Sequence, residues 1–234
     1  MSDLSQASTF CTRHRMPVRT SWYSRGMTVG IQGSLFDSTA TVTSIGGLDD
    51  TVRRPLSDGA WIDVRPGWIS GSQWLFDRLH DRSAWRAEQR QMYDRVVEVP
   101  RLVATYRETD TFPDPLLVAA RDRLSEHYLD ELPEGFATAG LCLYRDGGDS
   151  VAWHGDRIGR GATADTMVAI VSLGSPRPLL LRPRGGGASL RFVVGPGDLL
   201  VMGGSCQRTW EHSVPKVRAV GPRISIQFRP LGVW

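Results

Sequence analysis

Arg223-Ile224-Ser225-Ile226-Gln227-Phe228-Arg229 alternates polar and apolar side chains over its whole length. Successive side chains of a strand point to opposite faces, so this alternation predicts a β-strand with the three apolar residues on a buried face. Arg223 and Arg229 then share the other face. Buried guanidinium groups need anionic partners, and their planar fork suits carboxylates, so a small dicarboxylate along this face would satisfy both. A solvated polar face with two surface arginines is the alternative.

Short segments of similar pattern, separated by glycine and proline turns, fill the chain from about Ala137 onward. We expect strands over residues 138–145, 151–155, 167–173, 178–182, 189–194, 198–203, 207–212 and 223–229. Many short strands of this kind indicate an all-β sandwich or barrel. A double-sheet jelly roll accommodates them and can enclose a site between its sheets.

Two helices are expected ahead of these strands. The first covers residues 70–85, with an apolar stripe that includes Leu75 and Leu79 and with Ser70 or Ser72 as its cap. The second begins at Asp114-Pro115, with Asp at the cap and Pro in the first turn. Its expected buried face consists of Leu116, Ala120, Leu124 and Tyr128. The predicted fold class is therefore mostly β with flanking helices around a double-stranded β-helix, or jelly-roll, core.

Composition places the chain among water-soluble globular proteins. Its 234 residues are 41% hydrophobic and carry a net charge of +3, and no apolar run is long enough to span a membrane. The N-terminus has no apolar signal region, and Cys11, Cys142 and Cys206 form neither a zinc pattern nor a disulfide framework. We expect free thiols, a cytoplasmic location, no membrane contact, no protein partner and a monomer.

A metal site is indicated by His154-Gly155-Asp156 together with His212, which follows Asp156 by 56 residues. A His-x-Asp pair on a strand places both side chains on the same face. Two imidazoles and one carboxylate are the donors of the facial triad that binds non-haem Fe(II) and leaves coordination positions open. A lone His-x-Asp often occurs by chance, so the prediction of a metal site depends largely on the distal histidine and the arginine pair.

These motifs, taken together, resemble the AlkB family of Fe(II)/2-oxoglutarate-dependent dioxygenases. The resemblance covers about residues 99–230 and is densest at 153–156, 171–174, 197–204, 210–216 and 223–229. It implies that His154, Asp156 and His212 are the catalytic iron ligands. It also implies that 2-oxoglutarate binds Arg223 through its distal carboxylate, Arg229 through the end nearer the metal, and Tyr144 by a hydrogen bond.

Several positions differ from the repair-type members of that family. Cys142 and Ser225 stand where those members carry asparagine near the co-substrate, although Ser225 remains a candidate co-substrate contact. Repair-type members also place carboxylates two or three residues after the aspartate ligand, where they contact the damaged base. This chain has Ile158 and Gly159 there. A preference for a cationic methylated base is therefore not carried over.

The resemblance implies a dioxygenase that demethylates alkylated nucleic-acid bases with Fe(II), 2-oxoglutarate and O2, releasing succinate, CO2 and formaldehyde. The partner would be single-stranded or flipped-base DNA or RNA. Residues 145–191 carry seven arginines against four aspartates, as a phosphate-bearing partner favours. Candidate substrate contacts are Arg101 for phosphate, Tyr106 for base stacking, and Arg157 and Arg160. Arg101 as a surface residue and Tyr106 as a core residue are equally open.

Local composition, together with the resemblance, suggests an organisation of the chain. Residues 1–47 are expected to be flexible or loosely packed, with a possible short strand at 29–36. Residues 48–234 would form a single dioxygenase domain, with substrate-recognition elements at 48–136 and the jelly-roll core at 137–234. Two alternatives stay open: an oxygenase that acts on RNA, a protein or a small molecule, and a non-catalytic nucleic-acid-binding relative.

Overall fold

Alternating side-chain patterns form two facing β-sheets in the computed structural model, which describes residues 29–30, 43–92 and 95–233. The strands are β1 (Val29–Gly30), β2 (Ser44–Ile45), β3 (Val52–Pro55), β4 (Ala60–Arg65), β5 (Ile69–Ser70), β6 (Arg86–Met92), β7 (Arg95–Tyr106), β8 (Thr138–Tyr144), β9 (Val151–His154), β10 (Val168–Gly174), β11 (Arg177–Pro183), β12 (Leu190–Val194), β13 (Leu199–Gly204), β14 (Trp210–Val214) and β15 (Arg223–Arg229). The helices are α1 (Ser72–Arg82), α2 (Pro115–His127) and α3 (Cys206–Thr209).

Within the described residues, the larger sheet has eight strands in the order β3-β4-β13-β10-β15-β8-β7-β6. The smaller has five, in the order β1-β12-β11-β14-β9, and all its pairs are antiparallel except β1 with β12. A separate two-stranded pair joins β2 and β5. The mostly β, jelly-roll class predicted from the sequence is confirmed.

The large sheet is buried on both faces, and its strands divide their apolar residues between two layers. On β10, Val168 and Ile170 face the small sheet, while Ala169 and Val171 face the helices. This division follows from the period of two along a strand. The layer on the helix side also contains the buried residues of α1 and α2. A cavity for function therefore has to lie in the other layer, between the two sheets.

The first two helices lie where the sequence predicts them, with small differences. Asp114 caps α2 by accepting a hydrogen bond from the Leu116 amide at 2.9 Å. The cap position of α1 is Gly71, with φ of 62°, so the predicted capping by Ser70 or Ser72 is wrong. In α2 it is Leu117 that is fully buried, whereas Leu116 is only partly buried.

One predicted strand is partly wrong. Residues 206–209 form the short helix α3, and the strand expected at 207–212 begins instead at Trp210. The amides of Arg208 and Thr209 bond the Ser205 carbonyl at 2.9 and 3.0 Å, which closes a helical turn. Strands β3, β4, β6 and β7, from the region before residue 137, extend the large sheet and were not predicted. The possible strand at 29–36 is present as β1; residues 31–42 lie outside the described part, as do 1–28.

Candidate metal and co-substrate site

Three predicted ligands meet at the open end of the inter-sheet layer. One donor atom each from His154, Asp156 and His212 lies within 4.8 Å of the others. His154 and His212 face each other across the β9–β14 pairing, with ring centroids 4.2 Å apart. His154 Nε2 lies 3.7 Å from Asp156 Oδ1. Two imidazole nitrogens and a carboxylate oxygen at this spacing are a donor set suited to ferrous iron.

Local contacts hold each donor in a metal-binding state. His154 Nδ1 lies 2.8 Å from the Ala152 carbonyl, so this nitrogen donates and Nε2 offers its lone pair. Burial and the neighbouring His154 lower the pKa of His212 to about 3, which keeps that ring neutral. Burial alone would raise the pKa of Asp156, but Arg229 and the two imidazoles lower it to about 2. Asp156 is therefore a carboxylate at neutral pH.

Gly155 and Gln207 fix the chain between the first two donors. The Gln207 side chain accepts a hydrogen bond from the Asp156 amide at 3.0 Å. A Cβ atom on Gly155 would lie 2.6 Å from the Gln207 carbonyl oxygen and 3.3 Å from that of Trp210. Both obstacles are backbone, so only glycine allows this close approach. The Gln207 contact was missed because the sequence predicted a strand where α3 forms.

Both predicted arginines point from β15 toward the same cavity. The cavity encloses about 70 Å³, and its lining includes Tyr144, His154, His212, Arg223 and Arg229. Arg229 Nε donates to Asp156 Oδ2 at 2.7 Å. A Cβ on Gly140 of β8 would lie 2.9 Å from Arg229 Nη1, so this glycine leaves the space that the guanidinium occupies.

Arg223 is the deepest cation of the cavity and is only 2% exposed. Its Nε donates to Ser172 Oγ at 2.8 Å, but its Nη1 is buried without a hydrogen-bond partner. A buried donor left without an acceptor is costly. A carboxylate of 2-oxoglutarate would supply that acceptor, so the residues present fit the co-substrate. Sequence reasoning missed Ser172 as a contact, although its place on the cavity face of β10 follows from strand alternation.

Tyr144 lies between two guanidinium groups, with its ring 5.2 Å from Arg223 and 5.5 Å from Arg177. Burial raises the pKa of Tyr144 to about 12, so its hydroxyl stays protonated and can donate. Arg177 was predicted only as one of the seven arginines of a basic segment, and its buried position shows that it does not belong to an exposed basic patch. It is buried and donates to the carbonyls of Asp146, Asp149 and Pro215 at 2.7 to 2.9 Å, which ties two loops together beside Tyr144.

The remaining co-substrate candidate, Ser225, is buried on the cavity face of β15. Its Oγ accepts a hydrogen bond from Gln227 Nε2 at 2.7 Å. Gln227 also lines the cavity, and Cys142 Sγ lies 3.7 Å from its Oε1. Cys142 and Ser225 lack the side-chain amide that repair-type members carry at those positions, and Gln227 supplies an amide in the same cavity. Strand alternation had placed Gln227 on this face.

The predicted substrate contacts are spread over different surroundings. Arg101 lines the cavity beside Cys142 and Tyr144 rather than standing on the surface. Tyr106 lies on the opposite face, in the helix-side layer, with its ring 6.0 Å from that of Phe112; the structure does not bring it to the site. Arg157 and Arg160 are exposed on the loop after Asp156, and Arg160 pairs with Glu134.

Fold and site together define a class: a jelly-roll protein with a two-histidine, one-carboxylate metal site and a cationic cavity beside it. The model of the 2OG-Fe(II) oxygenase superfamily matches residues 70–229. The chain therefore belongs to that superfamily, whose Fe(II) and 2-oxoglutarate agree with the predicted cofactors.

Known relatives agree with the AlkB resemblance, which is confirmed. Human "Alpha-ketoglutarate-dependent dioxygenase alkB homolog 3" is 28% identical over 194 residues, covering 70% of this chain and 64% of the relative. Mouse "DNA oxidative demethylase ALKBH2" is 28% identical over 162 residues, covering 60% of this chain and 66% of the relative. The chain thus spans slightly less than two thirds of either relative.

A solved structure described as "The structure of OsALKBH1" has a TM-score of 0.55 at 13% identity, covering 75% of this chain and all of that one. At that identity it supports the fold alone. In the described residues, no helix is long and apolar enough to cross a membrane.

Proposed function

We propose that this chain is an Fe(II)- and 2-oxoglutarate-dependent dioxygenase that oxidatively demethylates alkylated bases in nucleic acid. The observation that carries the proposal is the meeting of three metal donors beside one small cavity that also holds a buried guanidinium donor, Arg223 Nη1, without a hydrogen-bond partner. The names of the two relatives, an alkB dioxygenase and a DNA oxidative demethylase, support the choice of substrate.

In the proposed reaction, one oxygen atom of O2 enters succinate as 2-oxoglutarate loses CO2, and the other enters the C–H bond of an N-methyl group. The hydroxymethyl group then leaves as formaldehyde, and its hydroxyl proton passes to the base nitrogen of an uncharged base or to solvent from a cationic base. Bound iron would supply the redox chemistry. His154, Asp156 and His212 would hold the metal and leave its other positions open.

The chain's other residues would bind and orient the co-substrate. Arg223 and Tyr144 would bind the distal carboxylate, with the Arg223 Nη1 donor and the protonated hydroxyl of Tyr144. Arg229 would hold the end nearer the metal while its Nε keeps Asp156 in place. Charged hydrogen bonds of this kind are shorter and stronger than neutral ones, and they fix geometry as well as affinity.

Access to a base requires a single strand or a flipped nucleotide. The exposed arginines of the loop after Asp156 and of the segment between and within β11 and β12, namely Arg157, Arg184 and Arg191, would contact the phosphates. Location in the cytoplasm and the monomeric state stay predictions.

The test begins with purified protein, Fe(II), 2-oxoglutarate and O2, with succinate as the readout. We expect His154→Ala and Asp156→Ala to abolish succinate formation. His80→Ala is a matched control, because His80 is exposed on α1 and away from the cavity, and it should behave as wild type. Full turnover by either ligand variant would refute the metal assignment.

The second stage offers methylated DNA and RNA oligonucleotides and measures formaldehyde and the mass loss of one methyl group. Demethylation of any of them supports the proposal. Succinate formation with no oligonucleotide demethylated would instead favour an oxygenase of another substrate, and no iron-dependent turnover at all would favour a non-catalytic binding protein.

A further inference from the structure

The cavity beside the metal donors carries more positive than negative side chains. Arg101, Arg223 and Arg229 line it, and no carboxylate is among its lining residues within the described part of the chain. Asp156, beside the cavity, is paired with Arg229 at 2.7 Å. Glu88 on β6 also raises the pKa of Arg101, but Cys142 and Tyr144 have larger effects on that pKa.

Binding of Fe(II) and 2-oxoglutarate does not remove this excess of positive charge. A ferrous ion and a 2-oxoglutarate dianion have equal and opposite charges, so together they leave the balance unchanged. Three arginines against Asp156 alone leave two positive charges, and counting Glu88 still leaves one. A like charge at about 8 Å, in surroundings of effective dielectric constant about 20, weakens binding of a cation roughly thirtyfold.

The loop after Asp156 adds no free negative charge. Ile158 is 70% exposed, and it lies within about 7 Å of Asp156 measured between Cα atoms, the reach of two residues. The nearby carboxylates are engaged with arginines: Glu134 with Arg160, Glu211 with Arg182, and Asp165 with Arg208. Close to the metal donors, the loop therefore presents the exposed apolar side chain of Ile158 and the exposed guanidinium of Arg157.

We propose that this protein acts on alkylated bases that carry no charge and discriminates against alkylated bases that are cations. Ile158 and Arg101 determine the discrimination, the first by offering apolar contact where a carboxylate would attract a cation, the second by repulsion inside the cavity. The inference rests on the proposed function and names its substrate class.

The experiment compares single-stranded oligonucleotides of one sequence that differ in a single base. N3-methylthymine and N1-methylguanine are uncharged at neutral pH, whereas N3-methylcytosine and N1-methyladenine are cations. Because the phosphates are the same in all four, backbone binding cancels from the comparison. We expect kcat/KM to be roughly thirtyfold higher for the uncharged bases, the ratio that one like charge at about 8 Å produces.

Two pairs of variants test the residues. Ile158→Glu should shift the ratio about tenfold toward the cationic bases, and the uncharged Ile158→Gln should not. Arg101→Gln should shift the ratio in the same direction, and Arg101→Lys, which keeps the charge, should leave it in place. Ile158 is exposed, so its variants are expected to fold, and a thermal melt of each variant confirms it.

The outcomes separate this inference from the proposed function. Demethylation with a preference for the cationic bases would overturn the inference and leave the function intact. Equal shifts in the Glu and Gln variants would also overturn it, because charge would then not be the cause. Succinate formation with none of the four bases demethylated would overturn the function and the inference together.

Discussion

Replacing Arg223 with Met should make the protein more stable in the absence of 2-oxoglutarate and should greatly weaken its binding of 2-oxoglutarate. Arg223 is almost fully buried, and its neighbours are the neutral Ser172 hydroxyl and the protonated Tyr144 ring rather than a carboxylate. Burial lowers the pKa of this guanidinium, which means that the fold disfavours its charge. A methionine of similar shape removes that penalty.

The substitution should favour stability and disfavour binding of 2-oxoglutarate. Replacing a buried ion pair by apolar residues of similar volume is often neutral or stabilising by about 1–4 kcal/mol, and we expect a gain of that size for this guanidinium, which has no carboxylate partner. In a chain of this size, each kcal/mol raises the melting temperature by about 2–4 °C. Losing one partner of a buried charged hydrogen bond costs about 2–5 kcal/mol of binding, which corresponds to a Kd for 2-oxoglutarate raised about 30-fold to several thousand-fold.

Thermal melts without O2, with Fe(II) and increasing 2-oxoglutarate, measure both effects. At a hundredfold excess over Kd, wild type should gain about 2.7 kcal/mol, or roughly 5–10 °C. Arg223→Met should melt higher at the start and gain at most about 0.9 kcal/mol at the same 2-oxoglutarate concentration, because its Kd is at least about 30-fold higher. Arg223→Lys keeps the cation and should retain part of the response. A methionine variant that melts lower and still responds fully to 2-oxoglutarate would refute this account of Arg223.

Two further predictions concern the supports of the site. Gly155→Ala should lower the free energy of unfolding by about 1–3 kcal/mol in a denaturant titration, because its Cβ meets the Gln207 backbone, while Gly47→Ala, with only ordinary contacts, should be near neutral. Burial raises the pKa of the Cys206 thiol from 9.0 to about 12, so its contribution to stability is complete below pH 9 and is lost as pH rises toward 12. Cys206→Ala should flatten that alkaline loss, by up to about 4 kcal/mol at pH 12; unchanged slopes would show that the thiol does not titrate there.

Much of the fold could be predicted because local patterns match tertiary burial. The alternation in β15 and the Asp114-Pro115 start of α2 are local signals, and the structure keeps both. The strands β3, β4, β6 and β7 could not be predicted in this way. They belong to the sheet because they pair with other strands, such as β4 with the distant β13, and no local alternation of side chains indicates that pairing.

The site could be predicted where one residue type in one spacing carries the chemistry. His154, Asp156, His212 and the two arginines of β15 were predicted for that reason, and the structure brings them close together. Gln207 and Arg177 could not be found, because each acts through backbone groups brought close only by the fold. Tyr106 shows the converse: an aromatic residue suits stacking and packing equally, and only its face on β7 separates them.

The apolar residues of β15 fix where its arginines point. This strand pairs with β10 over six positions and with β8 over seven, and its Ile224, Ile226 and Phe228 fill the helix-side layer. A shift of one residue would move all three into the cavity and both arginines into the apolar layer, where an unpaired charge costs several kcal/mol. Core packing therefore forbids the alternative register far more strongly than the co-substrate could. For this reason, Arg223 Nη1 can stay buried without an acceptor until a carboxylate binds, and the strand does not rearrange to give it one.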